Sequence, residues 1–267
     1  MSAKELFDAG NLSGAIEQLT QDVKANPRDL KSRIFLFELL CFAGELQRAE
    51  RQLDAIAQTS GDVKVEMGAH IYHNILQAEI ARRALFAGEN RPPKFFLEPP
   101  GYTTLHIDAT AKLRGRNFDE SKKLLEDSRR VRNPLKGQIE DTVFHDFHDG
   151  DDLVSPFLEV FFQKDYYWLP FEQIKRLNIK PPNTLRDLLW ISASIELHER
   201  PLGDVFIPVL YYGSDSEHDD LLKLGRMTDW RSVGNDILLG VGQRTFFADE
   251  TECPLLETKE IEFQISD

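Results

Sequence analysis

A 34-residue repeat near the N-terminus limits what this chain can fold into more than any other feature. Gly10-Asn11-Leu12-Ser13-Gly14-Ala15-Ile16 returns as Gly44-Glu45-Leu46-Gln47-Arg48-Ala49-Glu50, and Gly10/Gly44, Leu12/Leu46, Ala15/Ala49 and Leu19/Leu53 are each 34 residues apart. That period belongs to tetratricopeptide (TPR) arrays of helical hairpins. Each residue type suits its place. A glycine allows the tight turn between antiparallel helices. Ala15 and Ala49 let helices approach closely, and the leucines fill the space between them. Pro27 closes the first unit. A weaker copy, Gly115-Arg116-Asn117-Phe118-Asp119-Glu120-Ser121, has Phe118 at the Leu12 position and Ser121 at the small-residue position. Between the second and third copies the pattern predicts a long helix over Val63 to Ala87, stopped by Gly88. Pro92-Pro93 and Pro99-Pro100-Gly101 then force a non-helical connection before helix resumes near Thr103. A plain helical bundle is the alternative to a TPR-like array.

After Asn133-Pro134 the texture changes to short aromatic and β-branched runs bounded by Gly, Pro, Asn and Asp. Leu158–Phe162, Tyr166–Leu169, Leu188–Ile191, Val205–Tyr212, Ile237–Val241 and Thr245–Phe247 read as strands, and Phe171–Arg176 and Glu217–Leu224 as short helices. The expected fold class is therefore α+β: a TPR-like helical array over 1–134 followed by a mostly β domain over 135–267, a small barrel or strongly bent sheet.

Charge divides at nearly the same place. Residues 1–136 carry 21 Lys/Arg against 19 Asp/Glu, a balance of +2, and residues 137–267 carry 11 against 26, a balance of -15, so the net charge of -13 comes entirely from the β half. A nucleic-acid binder needs a basic face to displace counterions from phosphate, so this balance argues against DNA and RNA. No apolar run is long enough to cross a membrane. The start of the chain lacks a signal-peptide pattern. Two cysteines, Cys41 and Cys253, imply no disulfide framework and fit a reducing cytosol.

No catalytic set stands out, and neither a metal nor a cofactor is expected. His145-Asp146-Phe147-His148-Asp149-Gly150-Asp151-Asp152 offers metal-binding side chains, but residues three apart on a strand face opposite sides. A polar strand running into an Asp-Gly turn explains the same letters. Ser214 and Ser216 beside Glu217, His218, Asp219 and Asp220 read as a helix cap and an acidic first turn rather than a nucleophile with its base. Gly240-Val241-Gly242 lacks the lysine of a phosphate loop and reads as a turn or bulge. Binding surface is the more promising feature. In TPR arrays the first helix of each repeat lines a concave face. In the second repeat that helix covers about 30–43, and Lys31, Ile34, Glu38, Cys41 and Phe42 would line a partner-binding groove. The competing reading makes Ile34 and Phe42 simply core.

Ala81-Arg82-Arg83, the connection Arg91-Pro92-Pro93-Lys94-Phe95-Phe96-Leu97-Glu98-Pro99-Pro100, Pro201-Leu202-Gly203-Asp204-Val205-Phe206-Ile207-Pro208-Val209-Leu210-Tyr211 and Leu224-Gly225-Arg226-Met227-Thr228-Asp229-Trp230 together resemble the ImpE/TagJ (SciE-type) family of type VI secretion accessory proteins. The resemblance spans nearly the whole chain. It implies a non-catalytic cytoplasmic adaptor that binds the N-terminal helix of the small sheath subunit and assists the AAA+ ATPase that disassembles contracted sheath. Two other readings compete with it: a metal-dependent hydrolase built around His145, His148 and Asp149, and a chaperone for secreted effectors.

Overall fold

The turn residues set the path of the helical half. The computed structural model describes residues 1–89, 91–234 and 236–265. Among the described residues seven helices come first: α1 Ala3–Asp8, α2 Leu12–Ala25, α3 Leu30–Phe42, α4 Leu46–Thr59, α5 Val63–Ala87, α6 Thr103–Arg114 and α7 Phe118–Val131. Gly10 and Gly44 sit between paired helices at φ +79° and +71°, where a side chain would be strained. The Asn11 side chain accepts the Gly14 N–H to start α2, and the Asp29 and Asp62 side chains cap α3 and α5 in the same way. Gly88, at φ +98°, ends α5 where the sequence places the stop. Ala15 and Ala49 are completely buried, and Leu12, Leu19, Leu46 and Leu53 are buried with them.

The third hairpin departs from the first two. Its left-handed residue is Arg116 at φ +56°, while Gly115 remains at φ -67°. Phe118 leaves the array and packs against Gly234, and Ala109 and Leu125 form a small core with Leu153 and Ile237. The α6–α7 pair thus packs on the β half.

That half holds β1 Gly137–Ile139, β2 Thr142–Phe144, β3 Phe147–Asp149, β4 Phe157–Phe162, β5 Asp165–Pro170, β6 Ile174–Ile179, β7 Trp190–Leu197, β8 Pro201–Pro208, β9 Thr228–Val233, β10 Ile237–Gly242, β11 Thr245–Ala248, β12 Thr251–Pro254 and β13 Glu260–Phe263. Eight form an antiparallel sheet in the order β2-β1-β13-β6-β7-β8-β4-β5, beside a three-stranded sheet β12-β11-β3 and a β9–β10 ribbon. Phe144, Phe171, Phe246 and Phe263 surround the Phe147 ring at centroid distances of 4.9–5.3 Å.

Two short elements differ from expectation. The segment 171–176 is helical only as a 3-10 turn over Phe171–Gln173 and then becomes β6. A bulge between Ile174 and Arg176 brings Ile174 and Leu177 to the same buried face, so a strand shows the three-residue spacing of a helix. Helix α8 covers only Asp220–Lys223 and is capped by Asp219, because Ser214 is buried and its hydroxyl donates to the Tyr211 carbonyl (2.7 Å).

One core joins the two halves. The helical residues Leu36, Phe37, Phe42, Ile75 and Leu76 belong to the same cluster as Phe157, Phe161, Trp168 and Trp190 of the sheet. The proline-rich connection lies along the sheet edge: Lys94 N–H donates to the Tyr166 carbonyl, and the Phe96 ring stacks on Tyr167 at 4.0 Å.

Candidate functional site

Helix α3 carries all five predicted groove residues, and the structure separates them. From Leu36 to Phe42 every side chain is buried, which a helix apolar around its whole circumference requires. Glu38, Cys41 and Phe42 fall in this stretch and face the chain's own β half. Phe42 and Cys41 line a cavity of about 20 Å3 with Leu189, Trp190 and Tyr211. Glu38 pairs with Arg186 of the Leu185–Leu188 turn at 3.2 Å, and the same guanidinium lies 4.6 Å from the centre of the Tyr72 ring on α5. Burial pushes the Glu38 carboxyl up to about 7 against the pull of Arg186. Lys31 is exposed and Ile34 half-buried. They alone of the five remain near solvent.

An alternating chain of buried charges lies beneath this face and ties α5 to the sheet. Arg82 donates to both Glu159 oxygens (2.8 and 3.1 Å) and to the Leu210 carbonyl (3.1 Å). On β4, Glu159 also accepts from Arg244 and from the Tyr166 hydroxyl. Arg244 continues the chain to Asp149 and donates to the Pro208 carbonyl (3.1 Å). The Tyr211 hydroxyl accepts the Thr245 N–H (3.0 Å) and lies 2.9 Å from both Asp149 and the Thr245 carbonyl, with one proton to share between them. On the other side Glu79 pairs with Arg83, which reaches Asp215 at 3.0 Å. Burial alone would raise the Glu159 carboxyl, but Arg82 and Arg244 more than offset it and hold it down to about 2.

Sequence reasoning missed this network, although Arg82 stands in the quoted Ala81-Arg82-Arg83 run and Asp149 in the His-Asp-rich one. A charge recorded in sequence gives no sign that it is buried. The residues of the hydrolase reading are spread over other tasks. His145 is exposed beside Asp249 (3.5 Å), His148 stacks on Phe247, and Asp149 is committed to Arg244 and Tyr211. Among the described residues no group of three or more His, Cys, Asp or Glu is placed to hold a metal ion. Gly242, at φ +85°, turns the chain from β10 toward β11.

The open part of the array lies at the N-terminal end of α5. Val63, Met67 and Ile71 recur every four residues and are 68%, 62% and 44% exposed, an apolar stripe along one face. A Cβ added at the neighbouring Gly68 would meet nothing. No described helix is long and apolar enough to cross a membrane.

Comparison with known proteins agrees with this architecture. The family model described as ImpE protein matches residues 141–262. A type VI secretion system accessory component of Pseudomonas aeruginosa, TagJ, is 31% identical over 268 residues, covering all of this chain and 92% of that protein. The crystal structure of protein VPA1032 from Vibrio parahaemolyticus superposes with a TM-score of 0.89, covering 98% of this chain and 97% of that one at 24% identity, a likeness of fold.

Proposed function

The chain belongs to the ImpE/TagJ family of type VI secretion accessory proteins, and from that premise we propose that it is a non-catalytic cytoplasmic adaptor whose helical array holds the N-terminal helix of the small sheath subunit. In this role it presents contracted sheath to the AAA+ ATPase that dismantles it. The observation that carries the reading is the Val63-Met67-Ile71 stripe. A repeat array covers each apolar helix face with the next helix, and an end left apolar needs a cap. An amphipathic partner helix supplies one, with its side chains entering at i, i+3, i+4 and i+7.

Lys31 and Ile34, near solvent in the first turns of α3, are the positions of that helix assigned to the same role. Arg186 touches both Glu38 and Tyr72, so these positions of α3 and α5 are neighbours. Ile34 and Gly68 each lie one turn earlier on their helices. Glu38, Cys41 and Phe42 continue α3 beyond Ile34 and are covered by the chain's own β half.

Titration of the sheath helix against the intact chain tests the reading. Met67→Asp, Ile71→Asp and Ile34→Asp each weaken binding about thirtyfold, the loss of one buried anchor worth ~2 kcal/mol. Lys31→Glu acts mainly through the association rate and its salt dependence. Unchanged affinity in all three folded aspartate variants removes this face from the site.

A further inference from the structure

Two sequence runs that the adaptor reading leaves unused meet in one cleft. The His145–Asp152 run contributes His148, and the Leu224–Trp230 run contributes Trp230. With Leu238 and Phe247, and with Arg129 and Arg132 from the end of α7, they line an open cavity of about 610 Å3.

Its walls are fixed before anything binds. The Trp230 ring lies 5.8 Å from both Tyr211 and Phe247, and the His148 ring is stacked on Phe247 at 5.4 Å. Gly150 has no side chain because the edges of Trp230 and Phe247 occupy that place. The floor is pinned through Asp151, which accepts the Leu153 and Gly240 N–H groups (2.9 and 3.0 Å), and Asp152, which accepts the Leu238 N–H (2.8 Å).

At the rim two guanidinium groups are paired with two carboxylates and keep donors to spare. Asp146 accepts twice from Arg132 and once from the Leu135 N–H, and Asp152 accepts from Arg129 as well as Leu238. Among the described residues Arg132 uses Nη1 and Nη2, leaving Nε, and Arg129 uses only Nη2, leaving Nε and Nη1. A guanidinium offers five N–H donors in a plane and suits a carboxylate or phosphate. Aromatic side walls suit a flat ring. The volume falls in the range of small-ligand sites, about 300–1,000 Å3.

From these features we infer that the cleft is a binding site for a small planar aromatic anion, a ring stacked against Trp230 with its carboxylate or phosphate on Arg129 and Arg132. The inference uses no residue of the helix-docking face, so either can fail alone.

Titration calorimetry on the full chain tests it with guanosine monophosphate and indole-3-acetate as separate probes, and for the nucleotide a change in tryptophan fluorescence that Trp230→Ala abolishes is a second readout. At least one binds with Kd below ~1 mM, and the stronger names the source of the anion. The uncharged counterparts, guanosine and indole, bind about tenfold more weakly. Trp230→Ala and Arg129→Gln each cost at least about tenfold. Leu238→Asp, at an exposed rim position, has the same effect without removing an aromatic wall. The inference is overturned if neither probe binds in this range, if the uncharged counterparts bind as well, or if folded Leu238→Asp and Arg129→Gln bind like the unaltered chain.

Discussion

Glu159 shows how much a single side chain can carry at the junction of helix and sheet. It sits buried on β4 between Arg82 and Arg244 and shares the two guanidinium groups with Glu79 and Asp149. Removing one partner from such a pair leaves an uncompensated buried charge, which costs about 3–5 kcal/mol. Glu159→Gln should therefore destabilise the protein on that scale in urea titrations, with Arg82→Met comparable. Glu38 makes a separate, pH-dependent contribution. Its carboxyl is raised from 4.5 to about 7, so the folded state binds its proton more tightly than the unfolded chain does. Stability from this group is complete below about pH 4.5 and is lost as pH rises through 7. Glu38→Gln should flatten that fall: the mutant gains on the parent by on the order of 1–3 kcal/mol between pH 5 and 8, read from paired thermal melts. A parallel decline in both proteins would refute it. Neither residue announces its burial in the sequence, where Glu38 reads as part of a groove lining and Glu159 as part of an ordinary strand.

Among the elements, the repeats were legible because their turns are made of local chemistry. Gly10, Gly44 and Gly88 adopt the left-handed backbone that their positions require, and the limits of α5 follow from Asp62 and Gly88. The two turn glycines should still differ in tolerance. A Cβ at Gly10 would meet Leu221 at 3.5 Å, whereas at Gly44 it would fall on the Asp215 carboxylate, with Arg83 at 3.1 Å. Gly10→Ala should cost the backbone strain of about 1–2 kcal/mol. Gly44→Ala should cost more because it also disturbs the Arg83–Asp215 pair, and equal thermal shifts would contradict this. Elements were misread where distant strands set the pattern. The bulge in β6 imitated helical spacing. Strand β13 was not recognised because its place between β1 and β6 depends on partners about 80–120 residues away in the chain. The α6–α7 pair departed from the repeat because its apolar face meets Leu153 and Ile237 rather than another hairpin.

Across the whole molecule, the proposed division at 134/135 can be tested against the shared core. Arg82 and the apolar face of α5 lose their cover when residues 135–267 are absent. The 1–134 fragment should remain mainly helical by circular dichroism but melt well below the full chain, and adding 135–267 in trans should restore much of the difference. A mainly β spectrum from the fragment would end the TPR-like reading. The sequence alone determined the succession of a helical half and a β half, the first hairpin turns, the division of charge and the family resemblance. These depend on local periodicity and composition, which a linear pattern records directly. Only the tertiary structure decided which face of the array stays open, because an apolar side chain specifies that it must leave water and not what will cover it. Phe42 and Ile71 look alike as entries in a helical pattern. The β half packs over the first and leaves the second to solvent.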